Sequence, residues 1–136
     1  MREIKFRAWE DGKLLGYEFL DPVFAGWRHT IHGEDSGDGS PWVRAGTIHT
    51  GHDAKRDQYT GLKDKNGREI YEGDILRTPL NNGKYEVRWG LYRLGEYGRA
   101  EGPYFYRLDS GPQEEPAGLC PCYVIGNIYE NPELLK

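Results

Sequence analysis

Cysteine and methionine are scarce in this sequence, with two Cys and one Met in 136 residues. So few cysteines cannot staple a fold, and Cys120 and Cys122, one proline apart, have a spacing that rarely forms a good disulfide. That usage predicts a protein of a reducing cytoplasm. Long apolar runs are missing too, and nothing approaches the roughly eighteen apolar residues of a membrane span. The opening Met1-Arg2-Glu3-Ile4-Lys5-Phe6-Arg7 alternates charged with apolar residues. It lacks the apolar stretch of about seven to fifteen residues that a signal peptide needs. No membrane partner is expected.

A surplus of positive charge is also absent. There are 18 basic and 22 acidic side chains, a net charge of −4. Non-specific nucleic-acid binders gain affinity by neutralising phosphates, so a mildly acidic total argues against that class unless one face is locally basic. Catalytic signatures are lacking as well. No Gly-x-Ser-x-Gly elbow occurs, and Ser36, Ser40 and Ser110 lie in loop-like composition. No glycine-rich loop leads into Lys and a hydroxyl residue; Gly95-Glu96-Tyr97-Gly98 is a turn without the strand-to-helix setting of a phosphate loop. Neither Asp35-Ser36-Gly37-Asp38-Gly39 nor Asp64-Lys65-Asn66-Gly67 has the oxygen spacing of an EF-hand. These gaps predict a protein that is not an enzyme and carries no cofactor.

What is abundant is aromatic: ten Tyr, four Trp and four Phe, beside nineteen Gly and eight Pro. Tyr and Trp suit half-buried pleated surfaces, where one end packs and the other meets water, while Gly and Pro supply turns and interrupt helices. The length fits one domain with a single core, spanning residues 1–136.

Along the chain, Ile4, Phe6 and Ala8 alternate with Lys5, Arg7 and Trp9, so residues 3–9 read as a strand. Asp11-Gly12 turns the chain into a hairpin partner over 13–19. Residues 21–32, including Phe24 and Trp27, show no period. Residues 33–41 have no large apolar side chain to offset the entropy of ordering, and predict a flexible insertion. A strand is expected over 41–49. Asn66-Gly67 suits the positive φ angles of a tight hairpin, and Glu72-Gly73-Asp74 a second turn before Ile75-Leu76. Tyr85, Val87 and Trp89 alternate with Lys84, Glu86 and Arg88, the cleanest period of two in the sequence. Further strands are expected over 104–108 and 123–129, with a second insertion over 111–118. Only the tail reads as helical: Asn131 as cap, Pro132 at the first helical position, Glu133 at the positive end. The fold class predicted is mainly β, a small partly open barrel or sandwich with loop insertions and a short C-terminal helix.

Three of these stretches carry a resemblance. Residues 59–75, Tyr59-Thr60-Gly61-Leu62-Lys63-Asp64-Lys65-Asn66-Gly67-Arg68-Glu69-Ile70-Tyr71-Glu72-Gly73-Asp74-Ile75, resemble the central motif of the YopX family. Val124-Ile125-Gly126-Asn127-Ile128-Tyr129-Glu130-Asn131-Pro132-Glu133-Leu134-Leu135 is similar to its closing motif, and Arg2-Glu3-Ile4-Lys5-Phe6-Arg7-Ala8-Trp9 to its start. The resemblance implies a largely β protein encoded by a bacteriophage or prophage, with no established activity and no catalytic or ligand residues to carry over. Read physically, the glycines of these motifs suit turns and their Leu and Ile a core.

Two constellations merit a chemical reading. From 88 to 107, Arg88, Arg93, Arg99 and Arg107 are interleaved with Trp89, Tyr92, Tyr97, Tyr104 and Tyr106. Single-stranded nucleic acid is held this way, bases stacking on rings and guanidinium groups meeting phosphates. The plainer reading is that the aromatics fill the core while arginine stems cover strand edges, and in a chain so short of Met the plainer reading leads. The pairs His29/His32 and His49/His52 could join Cys120 and Cys122 in a zinc site. Yet Gly33, Gly46 and Gly51 flank or interrupt the pairs, and solvated loop histidines are the simpler account. The leading expectation is a phage accessory protein in a host bacterial cell, acting through protein contacts with itself or another protein. Single-stranded nucleic-acid binding and zinc binding are the alternatives.

Overall fold

In the computed structural model Asp11 and Gly12 have φ of 52° and 75°, the pair of positive angles that a two-residue hairpin loop requires. They join β1 (Lys5–Glu10) to β2 (Lys13–Asp21), with Glu10 opposite Lys13. The structure describes residues 4–23, 25–35, 41–48, 55–79, 82–93, 95–109, 114–118 and 122–135. Within these, residues 32–35, 41–44, 95 and 116 are described by backbone alone.

β2 leads into β3 (Gly26–Asp35), and β3 into β4 (Pro41–Ala45). Gly16 lies opposite Ile31, and a β-carbon on it would fall onto the Thr30 carbonyl oxygen. Only glycine permits β2 and β3 to approach so closely there. β5 (Lys55–Lys63) takes the other side of β1, pairing Arg7 with Asp57 and Phe6 with Gln58. β6 (Glu69–Tyr71) completes a sheet of order β4-β3-β2-β1-β5-β6. A second sheet is formed by β7 (Asp74–Arg77), β8 (Lys84–Arg93), β9 (Arg99–Arg107), β10 (Glu114–Pro116) and β11 (Tyr123–Asn127), in the order β10-β9-β8-β7-β11. The fold is mainly β, and neither sheet closes into a barrel. Among the described residues no helix is long and apolar enough to cross a membrane.

The chain divides into two compact units, Met1–Tyr59 and Thr60–Lys136. In the first, Arg7, Trp9, Asp57 and Tyr59 line one face of the sheet and are all buried. In the second, Ile70, Leu76, Tyr85, Val87, Phe105 and Cys122 form the core, with Leu62, Ala117 and Val124 packed against it. Full burial of a Leu or Val side chain contributes about 1.5–3 kcal/mol, so Leu76 and Val87, with no exposed surface, anchor β7 and β8. Asp64 closes the turn before β6. Its Oδ1 accepts the N–H groups of Asn66 and Arg68, and its Oδ2 accepts that of Val124 in β11.

Several expectations need adjusting. The 64–67 turn uses one positive φ, at Gly67 (83°), because Gly67 N–H closes a β-turn onto Asp64 O and then takes the left-handed position itself. The insertion expected over 33–41 is narrower: β3 runs to Asp35, which pairs with Pro41, while 36–40 lie outside the described residues. Within 111–118, Glu114–Pro116 forms β10 because β9 offers it a free backbone edge; 111–113 lie outside the described residues. The period-less stretch 21–32 contains most of β3, and Phe24 lies outside the described residues. The tail forms a single 3-10 turn, Pro132–Leu135. Asn131 Oδ1 accepts the N–H of Asn127 behind it, and the turn closes through Leu134 N–H onto Asn131 O.

Candidate interaction face on the β8–β9 hairpin

β8 and β9 pair without a register break from Tyr85↔Arg107 to Arg93↔Arg99. The period of two then sorts the side chains. Val87 and Phe105 face the core, while Glu86, Arg88, Tyr92, Tyr104 and Tyr106 share the opposite face, all half-buried. On that face the Tyr92 and Tyr104 rings stack with centroids 5.3 Å apart and planes 28° from parallel. The Arg88 guanidinium lies 3.7 Å above the Tyr106 ring, within cation–π range. The sequence places rings and arginines in one segment; the sheet sorts them, sending Tyr85 and Phe105 inward and Tyr92, Tyr104 and Tyr106 outward.

Arg88 is the arginine that β8 and β9 place on this face, and it is already engaged; Arg93, Arg99 and Arg107 alternate to the side of Val87 and Phe105. Arg88 Nη2 donates to Glu86 Oε1 at 3.0 Å. Burial pulls the Arg88 pKa down, but the hydrogen bond and charge of Glu86 outweigh it and hold it above its usual value. Arg107 Nε donates to Asp109 Oδ1 at 2.7 Å, and its guanidinium lies 5.8 Å from the Tyr85 ring centroid. Arg93 and Arg99, directly opposite each other near the hairpin end, are exposed. Tyr97, in a 3-10 turn over Gly95–Tyr97, is 91% exposed, and Leu91 on β8 is 64% exposed. The hairpin therefore presents rings and apolar surface with little unneutralised positive charge on its aromatic face.

The proposed zinc ligands are only partly visible. His29 is buried on β3, with Nδ1 3.2 Å from Gly46 O. His32 is described by its backbone in β3, and His49, His52 and Cys120 lie outside the described residues. Cys122 is buried and disulfide-bonded, against the expectation from spacing, and a sulfur so bonded offers no thiolate to a metal. Among the described residues no group of three or more His, Cys, Asp or Glu could hold a metal ion. Ser36, Ser40 and Ser110 lie outside the described residues.

Sequence reasoning missed two polar clusters in the first unit. Asp57 Oδ2 accepts Arg7 Nη2 at 3.0 Å and Trp9 Nε1 at 2.8 Å. On the other face, buried Glu18 accepts Arg56 Nε at 2.6 Å and Ile48 N at 3.2 Å, while Arg56 Nη2 donates to Ile48 O. These bonds hold the chain after β4 against the sheet, beside a small apolar cavity of about 180 Å³ lined by Phe6, Glu18, Trp27, Thr47 and Arg56. Arg7 lies directly opposite Asp57, whereas Glu18 and Arg56 meet across the intervening β1, and both relationships need the register to be seen.

The family model described as YopX protein matches residues 5–136. A crystal structure of protein EF1440 from Enterococcus faecalis is similar at 27% identity and a TM-score of 0.47, covering 100% of each chain. No curated protein matches the chain.

Proposed function

We propose, on the premise that this chain belongs to the YopX family, that it is a non-enzymatic interaction module of a phage or prophage. It works in the host bacterial cell through protein contacts and assembles with copies of itself. The observation that carries this reading is the end of the β8–β9 hairpin, where the Leu91 and Tyr97 side chains stand in solvent. Exposed aromatic and aliphatic surface is what protein interfaces are built on. The carboxylates on Arg88 and Arg107 weigh the same way, because they lower the positive charge that would draw in phosphates.

Light scattering across a concentration series tests this. A mass that rises above one chain supports it, and a single-chain mass throughout counts against self-assembly. One observation favours a second reading: Tyr92, Tyr104, Tyr106 and Arg88 do share a face on which bases could stack. Titration with a labelled single-stranded oligonucleotide separates the two. Tight binding at low salt that falls steeply with salt would replace the protein-contact reading.

A further inference from the structure

Among the described residues, the outer edge of β9 is covered over only part of its length. β10 pairs with Tyr104, Phe105 and Tyr106, and Ala117 N–H donates to Pro103 O just beyond. Among the described residues nothing pairs with Arg99–Gly102 on that side. Backbone groups in an antiparallel strand point alternately to its two neighbours. Since Pro103 O points to the β10 side, the N–H and C=O of Glu101 and Arg99 point that way too, while Ala100 and Gly102 bond across to Tyr92 and Gly90. The open edge thus offers the backbone groups of two residues, both with exposed side chains and neither in an ion pair among the described residues. Arg99 is also poorly placed within its own hairpin, directly across from Arg93. Like charges in that position repel.

We propose that two copies of this chain pair through this edge, antiparallel about a two-fold axis at Ala100. Reversal about Ala100 places Arg99 of one copy opposite Glu101 of the other, and the reverse. Two residues of opposite charge flanking a small one are self-complementary under that operation, which is why a second copy suits the edge better than an unrelated strand. Each Arg99–Glu101 pair exchanges both of its backbone hydrogen bonds, because both residues turn those groups outward. The Ala100 residues form the closer, non-hydrogen-bonded pair, which their small side chains allow. The incoming Glu101 also relieves the repulsion between Arg93 and Arg99. This pairing rests on the self-assembly reading above and specifies its geometry.

The test uses the full chain and compares R99E, E101R and the double variant R99E/E101R by light scattering over a concentration series. Each single variant sets like charges against each other at both contacts and weakens dimerisation by about tenfold or more. The double variant restores attraction with its sign reversed and returns the dimer. A100C forms an interchain disulfide on oxidation that the wild type does not. Circular dichroism shows that these exposed substitutions leave the fold intact. If the wild type self-associates while neither single variant shifts its midpoint, or both do and the double variant fails to recover, the edge pairing is wrong and self-assembly stands. A wild type that is monomeric at every concentration overturns both.

Discussion

The Trp9 indole N–H donates to the Asp57 carboxylate at 2.8 Å, and both residues are almost wholly buried. The same oxygen accepts Arg7 Nη2, so a guanidinium, an indole and a carboxylate share one buried cluster between β1 and β5. Removing the carboxylate leaves the Arg7 charge buried without this counter-charge. Asp57→Ala is therefore expected to cost about 3–5 kcal/mol, read from urea unfolding of the two proteins. A loss under about 1 kcal/mol would show that water or another group compensates.

Asp64 makes stability depend on acid. Burial alone would raise its pKa, but the hydrogen bonds from Val124, Arg68 and Asn66 and the nearby Arg68 charge outweigh burial and hold it below its usual value. A depressed folded-state pKa stabilises above the unfolded pKa of about 3.9, and that contribution fades as pH falls through the folded value. The unfolding midpoint of the wild type should fall on acidification below about pH 4, and that of Asp64→Asn should fall less. Parallel curves for the two proteins would assign the acid sensitivity elsewhere.

Gly16→Ala drives a β-carbon into the Thr30 carbonyl, a backbone atom that cannot step aside without parting β2 from β3. A loss of about 3 kcal/mol is expected, the upper end for overpacked sites. Gly118→Ala meets open space and should stay within about 0.5 kcal/mol of the wild type. Equal effects of the two substitutions in denaturant titrations would refute the steric account.

Replacing Leu91 and Tyr97 together by Ser removes the exposed apolar surface at the hairpin end. Neither side chain is packed, so stability should change by no more than about 0.5 kcal/mol. Self-association measured by light scattering should weaken. If it is unchanged, this end of the hairpin is not a contact surface.

The β class was legible in the sequence because it depends on local periods. Tyr85, Val87 and Trp89 alternate visibly with charged residues, and Asp11-Gly12 names its own turn. The alternation of β1, however, hid which of its residues are buried. Alternation gives the strand but not the buried face: Arg7 and Trp9 are both buried, because Asp57 from β5 supplies the partner that makes burial possible. β3 and β10 were invisible for a related reason: their pairing is a backbone matter, decided by neighbours distant in sequence.

The Tyr/Arg segment divides along the same line. The sequence by itself determined a mainly β chain, most of its turns, and its membership in a family through three short motifs, since turn chemistry and alternation act over a few residues. Only the tertiary structure decided that Phe105 turns inward and Tyr104 outward, that Arg88 and Arg107 are already neutralised, and that among the described residues nothing pairs with the outer edge of β9 from Arg99 to Gly102. Those are properties of register and of which strand lies beside which, and strand pairing is set by contacts between residues far apart along the chain.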